Sequence, residues 1–308
     1  MKSYAYRWKD TPIHRLHPIV ITVWALACMV LVFSIQDPVL LTTLFLATLL
    51  YIYTAGIFDR WWGFFKLALM FSAFIIILNV IFMHQGTTVI YSLPWAIPTM
   101  GHFDFTFEAL VYAIGMSISL IVVISLFAIL TYTVNPDDIF ELLMKTRIFQ
   151  RTAFVSSLAV TYVPTMLSDM SDIKISLQTR GYEMDGGKLN EKLKRRAAIL
   201  IPLLTNSLDR ALQKAESMES RAYGTGKGRT YLFYKKLTNF DKLVLAVSLL
   251  PLLAALLCVM IPIGKYQFYP QLQPIMITTG YEATAVILFI TVSSVDFLSL
   301  FKRRVDID

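Results

Sequence analysis

The sequence predicts an all-α polytopic membrane protein with about six transmembrane helices and a cytoplasmic segment of amphipathic helices. Three observations carry this. Of the 308 residues, 56% are hydrophobic and only 16% charged, where soluble domains carry about a quarter charged residues. The apolar residues fall in blocks close to the ~20 residues that cross a ~30 Å hydrocarbon core. The 28 lysines and arginines gather almost entirely on one side of those blocks. Disorder is excluded by 13% aromatics at low charge density. A disulfide scaffold is excluded by two isolated cysteines, Cys28 and Cys258, each inside an apolar run.

The expected spans are Ile19–Ile35, Val39–Phe58, Phe64–Met83, Phe107–Val134, Lys242–Ile263 and Tyr281–Leu300. The first is short and carries no charge; without a small-residue cleavage pattern behind it, it reads as an uncleaved span. Residues 1–18 hold four Lys/Arg, the 59–66 connection two, residues 135–242 eighteen and the tail after Leu300 three. Only Lys265 remains for the opposite side. Basic connections mark the cytoplasmic face, so both termini and the long central segment are expected inside a cell membrane. The outer connections 36–38, 84–106 and 264–280 are nearly free of charge, and the second and third carry aromatics with prolines, as interfacial segments do; a short hairpin or re-entrant element fits there. Ionisable residues within the spans are scarce, with Glu108, Glu282 and Asp296 near their ends. A transporter with its own mid-membrane site normally shows interior charges or broken helices, so this membrane part reads as a scaffold.

The domain division expected from these patterns is 1–134 (four spans), 135–241 (cytoplasmic) and 242–308 (two spans). The middle segment carries a net charge of +5. Asn135-Pro136-Asp137-Asp138 reads as a helix start, with a cap, a proline at the first position and acids in the first turn. A short amphipathic helix to about Lys145 should follow. A longer one, from about Ala153 to Arg180 with an interruption near Pro164, repeats apolar residues at Val163, Leu167, Met170, Ile173 (or Lys174) and Leu177. Another, from about Ala197 to Arg221, repeats Ile201, Leu204, Leu208, Leu212 (or Ala211), Ala215 and Met218. Both stripes are narrow and resemble coiled-coil seams.

These two helices end alike, in Thr179-Arg180-Gly181-Tyr182 and Ser220-Arg221-Ala222-Tyr223-Gly224. One such ending is explained by the helix dipole and a left-handed cap. Two copies on consecutive, similarly striped helices suit a partner made of two similar subunits.

The paired x-Arg-x endings resemble the coupling motifs of energy-coupling-factor transporter transmembrane components, the EcfT/CbiQ family. So do Tyr162-Val163-Pro164-Thr165 and Ile201-Pro202-Leu203-Leu204 on those helices, and the N-terminal Pro12-Ile13-His14-Arg15-Leu16-His17-Pro18. Asn135-Pro136-Asp137-Asp138 falls where the family's short coupling helix begins. The likeness runs in order along nearly the whole chain. It departs from the family pattern at His17, where Asp is usual, at Ala222, where Gly is usual, and in longer outer connections. The resemblance implies a multipass subunit that clamps two ABC-type ATPase subunits through Thr179, Arg180, Gly181, Ser220, Arg221 and Ala222. It further implies a separate substrate-binding membrane subunit, for a vitamin or a transition-metal ion, moved by ATP hydrolysis in the partners. A dedicated cobalt or nickel permease subunit of the same family is the nearest alternative.

No catalytic residue, cofactor or bound metal is expected in the chain itself, and no nucleic-acid partner. Gly224-Thr225-Gly226-Lys227-Gly228-Arg229-Thr230 lacks the glycine and hydroxyl positions of a phosphate loop and follows a helix. His14 and His17 form an incomplete metal set and are expected to pack at the headgroup level. A membrane-embedded magnesium-dependent transferase would need facing acidic clusters. Asp137 with Asp138 reads instead as a helix N-terminus, and Asp169 with Asp172 as a polar face. The Arg195-Arg196 and Lys235-Lys236 pairs suit topology and anionic lipid.

Overall fold

The computed structural model describes residues 11–83, 86–92, 104–135, 138–139, 150–181, 189–223, 237–260, 266–269 and 279–305. The chain divides into two compact units, one of residues 1–139 with 235–308 and the other of residues 140–234.

The first unit is helical and strongly apolar. Helices α1 (Pro18–Ser34) and α2 (Pro38–Thr54) each have 17 residues, about 26 Å of rise. α3 (Phe58–Phe82) and α4 (Phe107–Thr133) are 25 and 27 residues long. α3 and α4, together with Asn239–Met260 and Glu282–Phe301, are the four described segments long and apolar enough to span a membrane. The unit is thus a polytopic membrane body, with α1 and α2 as shorter apolar helices.

Three boundaries differ from the sequence reading, each for a local reason. α2 stops at Thr54, not Phe58, because Gly56 takes the left-handed conformation (φ +65°). There Gly56 N–H donates to Tyr53 O (3.0 Å) and Ile57 N–H to Ile52 O (3.3 Å), the double bond of a Schellman stop. α3 begins at Phe58, so Arg60 and Lys66 ride on a helix and not on a connection; the Arg60 guanidinium lies 5.7 Å from the centre of the Tyr132 ring. The fifth apolar block is two helices, α7 (Asn239–Ser248) and α8 (Leu250–Met260). Pro251 at the start of α8 lacks the donor that would continue the ladder. α7 opens at Thr238, whose backbone N–H and hydroxyl both donate to Asp241.

α9 (Thr279–Val305) packs on α2, α3 on α4, and α1 on α8, with α4 also touching α1 and α2. Large aromatics tie these pairs. Trp24 of α1 stacks on Tyr51 of α2 at 4.2 Å between ring centres and donates its indole N–H to Val292 O of α9 (3.1 Å). Trp61 of α3 donates to Ser125 Oγ of α4 at 3.0 Å. Asp296 is buried in α9 and accepts a hydrogen bond from Thr54 (3.2 Å). α3 buries little beyond Trp61, Ala68 and Ser72; the apolar remainder suits contact with lipid.

Between α3 and α4 stands an antiparallel pair, β1 (Val89–Ser92) with β2 (Asp104–Thr106), so the connection expected to carry a hairpin has one. Glu108, buried at the head of α4, holds it by accepting from Thr88 N–H (3.0 Å) and the Thr88 hydroxyl (2.6 Å). His14 and His17 are buried. His17 caps α1, its Nδ1 accepting from Ile19 N–H at 3.3 Å, the task an aspartate performs at such a position. Thr11 Oγ1 lies 2.6 Å from His14 Nδ1.

Candidate functional site: two arginine-tipped helix ends

The second unit contains α5 (Gln150–Thr179, 30 residues) and α6 (Leu189–Ser220, 32 residues). Both are longer at their starts than the periodicity indicates. α5 also runs unbroken through Pro164, and α6 through Pro202, where an interruption of the first was expected. A proline removes one ladder bond; a helix this long keeps the rest. The expected short helix from Asn135 to Lys145 lies outside the described residues except for Asn135, Asp138 and Ile139, as does the basic stretch 224–230.

Three cross-contacts fix how α5 and α6 run. Phe154 meets Tyr223 with ring centres 5.2 Å apart. Lys214 Nζ lies 4.9 Å over the Tyr162 ring. Arg210 donates to Asp169 Oδ1 at 2.7 Å. The partner numbers fall as the others rise, so the helices are antiparallel. Arg221 is therefore level with the start of α5, and Arg180 ends α5 about 24 residues further along, a separation of ~36 Å at 1.5 Å per residue.

The two ends share one construction. At α6, Ala222 N–H donates to Glu219 O (2.8 Å) and Tyr223 N–H to Met218 O (2.9 Å), a complete Schellman motif with Ala222 left-handed at φ +56°. At α5, Gly181 N–H donates to Gln178 O (3.0 Å) with Gly181 at φ +81°. In both, arginine is the last residue before the reversal. The hydroxyls of Thr179 and Ser220 donate back to Ser176 O (2.8 Å) and Ser217 O (3.0 Å). Arg180 and Arg221 are exposed, and neither side chain has a hydrogen-bond or ion-pair partner among the described residues. Each is a permanent charge with five donors, held at the tip of a rigid rod.

The apolar stripes do something the periodicity did not indicate. They are not a seam between α5 and α6. Leu167 is 62% exposed and Leu208 63%, and Val163, Met170, Ile201, Leu204 and Leu212 are exposed as well. From Tyr162 onward the half-buried residues of α5 are Tyr162, Asp169, Ile173 and Leu177, and from Leu203 onward those of α6 are Leu203, Ser207, Arg210, Lys214 and Met218, so only Ile173, Leu177 and Met218 of the expected stripes are among them. Sequence reasoning missed the Asp169–Arg210 and Tyr162–Lys214 contacts. Their signal was the spacing of 162, 169, 173 and 177, seven residues and then four and four, which joins the last two stripe positions to Tyr162 and Asp169. Among the described residues, the unit thus presents two guanidinium tips without a partner and an apolar face that none of them covers.

A profile of the family described as cobalt transport protein, CbiQ, matches residues 9–232, which include both tips. A protein of Bacillus selenitireducens named energy-coupling factor transporter transmembrane protein EcfT is 29% identical over 252 residues, covering 78% of this chain and 90% of the relative. The protein of that name from Streptococcus thermophilus is 29% identical over 230 residues, covering 72% and 84%. That from Bacillus subtilis is 27% identical over 192 residues, covering 60% and 69%. With a profile match across most of its length and these relatives beside it, the chain belongs to the CbiQ family.

Proposed function

We propose that this chain is the transmembrane component of an energy-coupling-factor importer. Arg180 and Arg221 each enter a groove on one subunit of a pair of ABC-type ATPases, and the exposed apolar face of α5 and α6 receives a separate membrane subunit that binds a vitamin or transition-metal ion. Both termini and residues 135–241 lie in the cytoplasm. ATP is hydrolysed by the partners, not by this chain.

The reading rests above all on the duplicated helix end: two exposed arginines, without a partner among the described residues, each stopped by a left-handed residue, about 36 Å apart. That spacing is about the diameter of a small domain, which suits one tip per ATPase. Carboxylate-lined grooves are natural receptors for a guanidinium. The names of the relatives favour the same assignment. The antiparallel rods explain how motion at the tips reaches the apolar face, since the Asp169–Arg210 pair fixes one helix against the other.

The test is Arg180→Glu with Arg221→Glu. Truncating a buried charge-assisted contact costs on the order of 2–5 kcal/mol, so the double variant should insert normally, lose its ATPases on purification and stop uptake. Were the arginines ordinary helix ends, the loss would be about 0.3–1 kcal/mol and assembly would persist. A double variant that retains both ATPases and supports uptake would overturn the proposal.

A further inference from the structure

Within the membrane unit, a cavity of about 380 Å³ lies between α1 and α3 on the face of α4. Its walls are Val32 of α1 and Ile75 of α3, and its floor is Gly115, Ser119 and Val123 of α4. Gln36, Tyr112 and Phe268 line its upper end, where α1 ends at Ser34 and α4 has just begun at Phe107. Tyr112 to Val123 is eleven residues of helix, ~16 Å of depth, which is half of a ~30 Å hydrocarbon core.

We infer that this cavity seats one acyl chain of a phospholipid from the leaflet on the hairpin side of the membrane. The cavity's lining is apolar along that length apart from Gln36, Tyr112 and Ser119, as an extended acyl chain requires. Apolar walls left empty at this depth would forfeit their dispersion contacts, and the solvent at that depth is hydrocarbon. The upper end suits the ester region of a lipid. Tyr112 packs edge-on against Phe268 (5.1 Å) and beside Tyr269 (5.9 Å), while Tyr266 packs on Phe268 (4.7 Å). Burial, and next the neighbouring Asp37 carboxylate, push the Tyr266 hydroxyl above its ordinary range; burial does the same for Tyr269. The inference is independent of what the arginine tips bind.

The full chain is reconstituted with phosphatidylglycerol carrying a photoactivatable group midway along one chain, and adducts are mapped by peptide mass spectrometry. Adducts should concentrate on the peptides containing Ile75 and Ser119. Ser119→Phe fills the floor and should reduce them at least fivefold. Gly63→Ala, on α3 outside the cavity and with no described atom within 4 Å of its added Cβ, should leave them unchanged. Wild-type labelling spread evenly over the exposed face of α3 overturns the inference even if Ser119→Phe fails to fold. So does labelling at Ser119 that survives the filled floor.

Discussion

Ala222→Gly should stabilise the end of α6, and the size of the effect follows from the backbone. Ala222 sits at φ +56°, where an L-residue with a Cβ is strained by roughly 1–2 kcal/mol and glycine is not. Glycine gives back part of this through greater freedom in the opened chain, leaving a net gain of about 1 kcal/mol. The reporter is the Tyr223 amide, which donates to Met218 O at 2.9 Å only while the cap is closed. Since 1.4 kcal/mol is a factor of ten, hydrogen exchange at that amide should slow about fivefold in Ala222→Gly. Ala222→Val places a β-branched residue at positive φ, a genuine outlier, and should speed exchange by at least about as much. Gly181→Ala makes the matching test at α5. No atom of the described residues lies within 4 Å of the added Cβ, so the cost counted here is torsional, again about 1 kcal/mol. The assay is hydrogen–deuterium exchange of the intact protein in nanodiscs, read on peptides spanning 218–223 and 177–181. Unchanged or faster exchange in Ala222→Gly would refute the left-handed cap, and with it the idea that Arg221 is held in place by that turn.

The Asp169–Arg210 pair, 2.7 Å long with side chains 14% and 40% exposed, lies between the surface and buried regimes. Asp169→Arg alone should cost about 1–2 kcal/mol in thermal unfolding of the purified protein, and adding Arg210→Asp should recover most of it; no recovery would deny the pairing. Glu108→Ala removes the acceptor of the Thr88 N–H and hydroxyl and should destabilise by about 1–3 kcal/mol, with faster proteolysis between β1 and β2. Gly86→Ala should act alike, because its Cβ would lie 2.3 Å from Glu108 Oε2. For orientation, a cysteine at Ser217 should resist an impermeant thiol reagent in intact cells while one at Thr87 reacts, in a background lacking Cys28 and Cys258. Labelling of the Ser217 site from outside would reverse the topology and remove the ATPase reading.

What the sequence by itself determined is what depends on composition and short-range order. Membrane embedding follows from apolar blocks, because length and hydropathy suffice to satisfy a bilayer. The two arginine ends were legible because a helix stop is written within about five residues by a small residue after the last turn. Boundaries were less legible where one residue overrides hydropathy. Gly56 turns the chain inside an apolar run, and Pro251 splits another. Tertiary structure alone decided which face of α5 and α6 is covered. Leu167 and Leu208 repeat at helical spacing as a core would, yet the seam passes through Asp169, Arg210, Tyr162 and Lys214. Periodicity reports that a face is apolar and is silent on what it meets. That is set by the register of the two antiparallel helices.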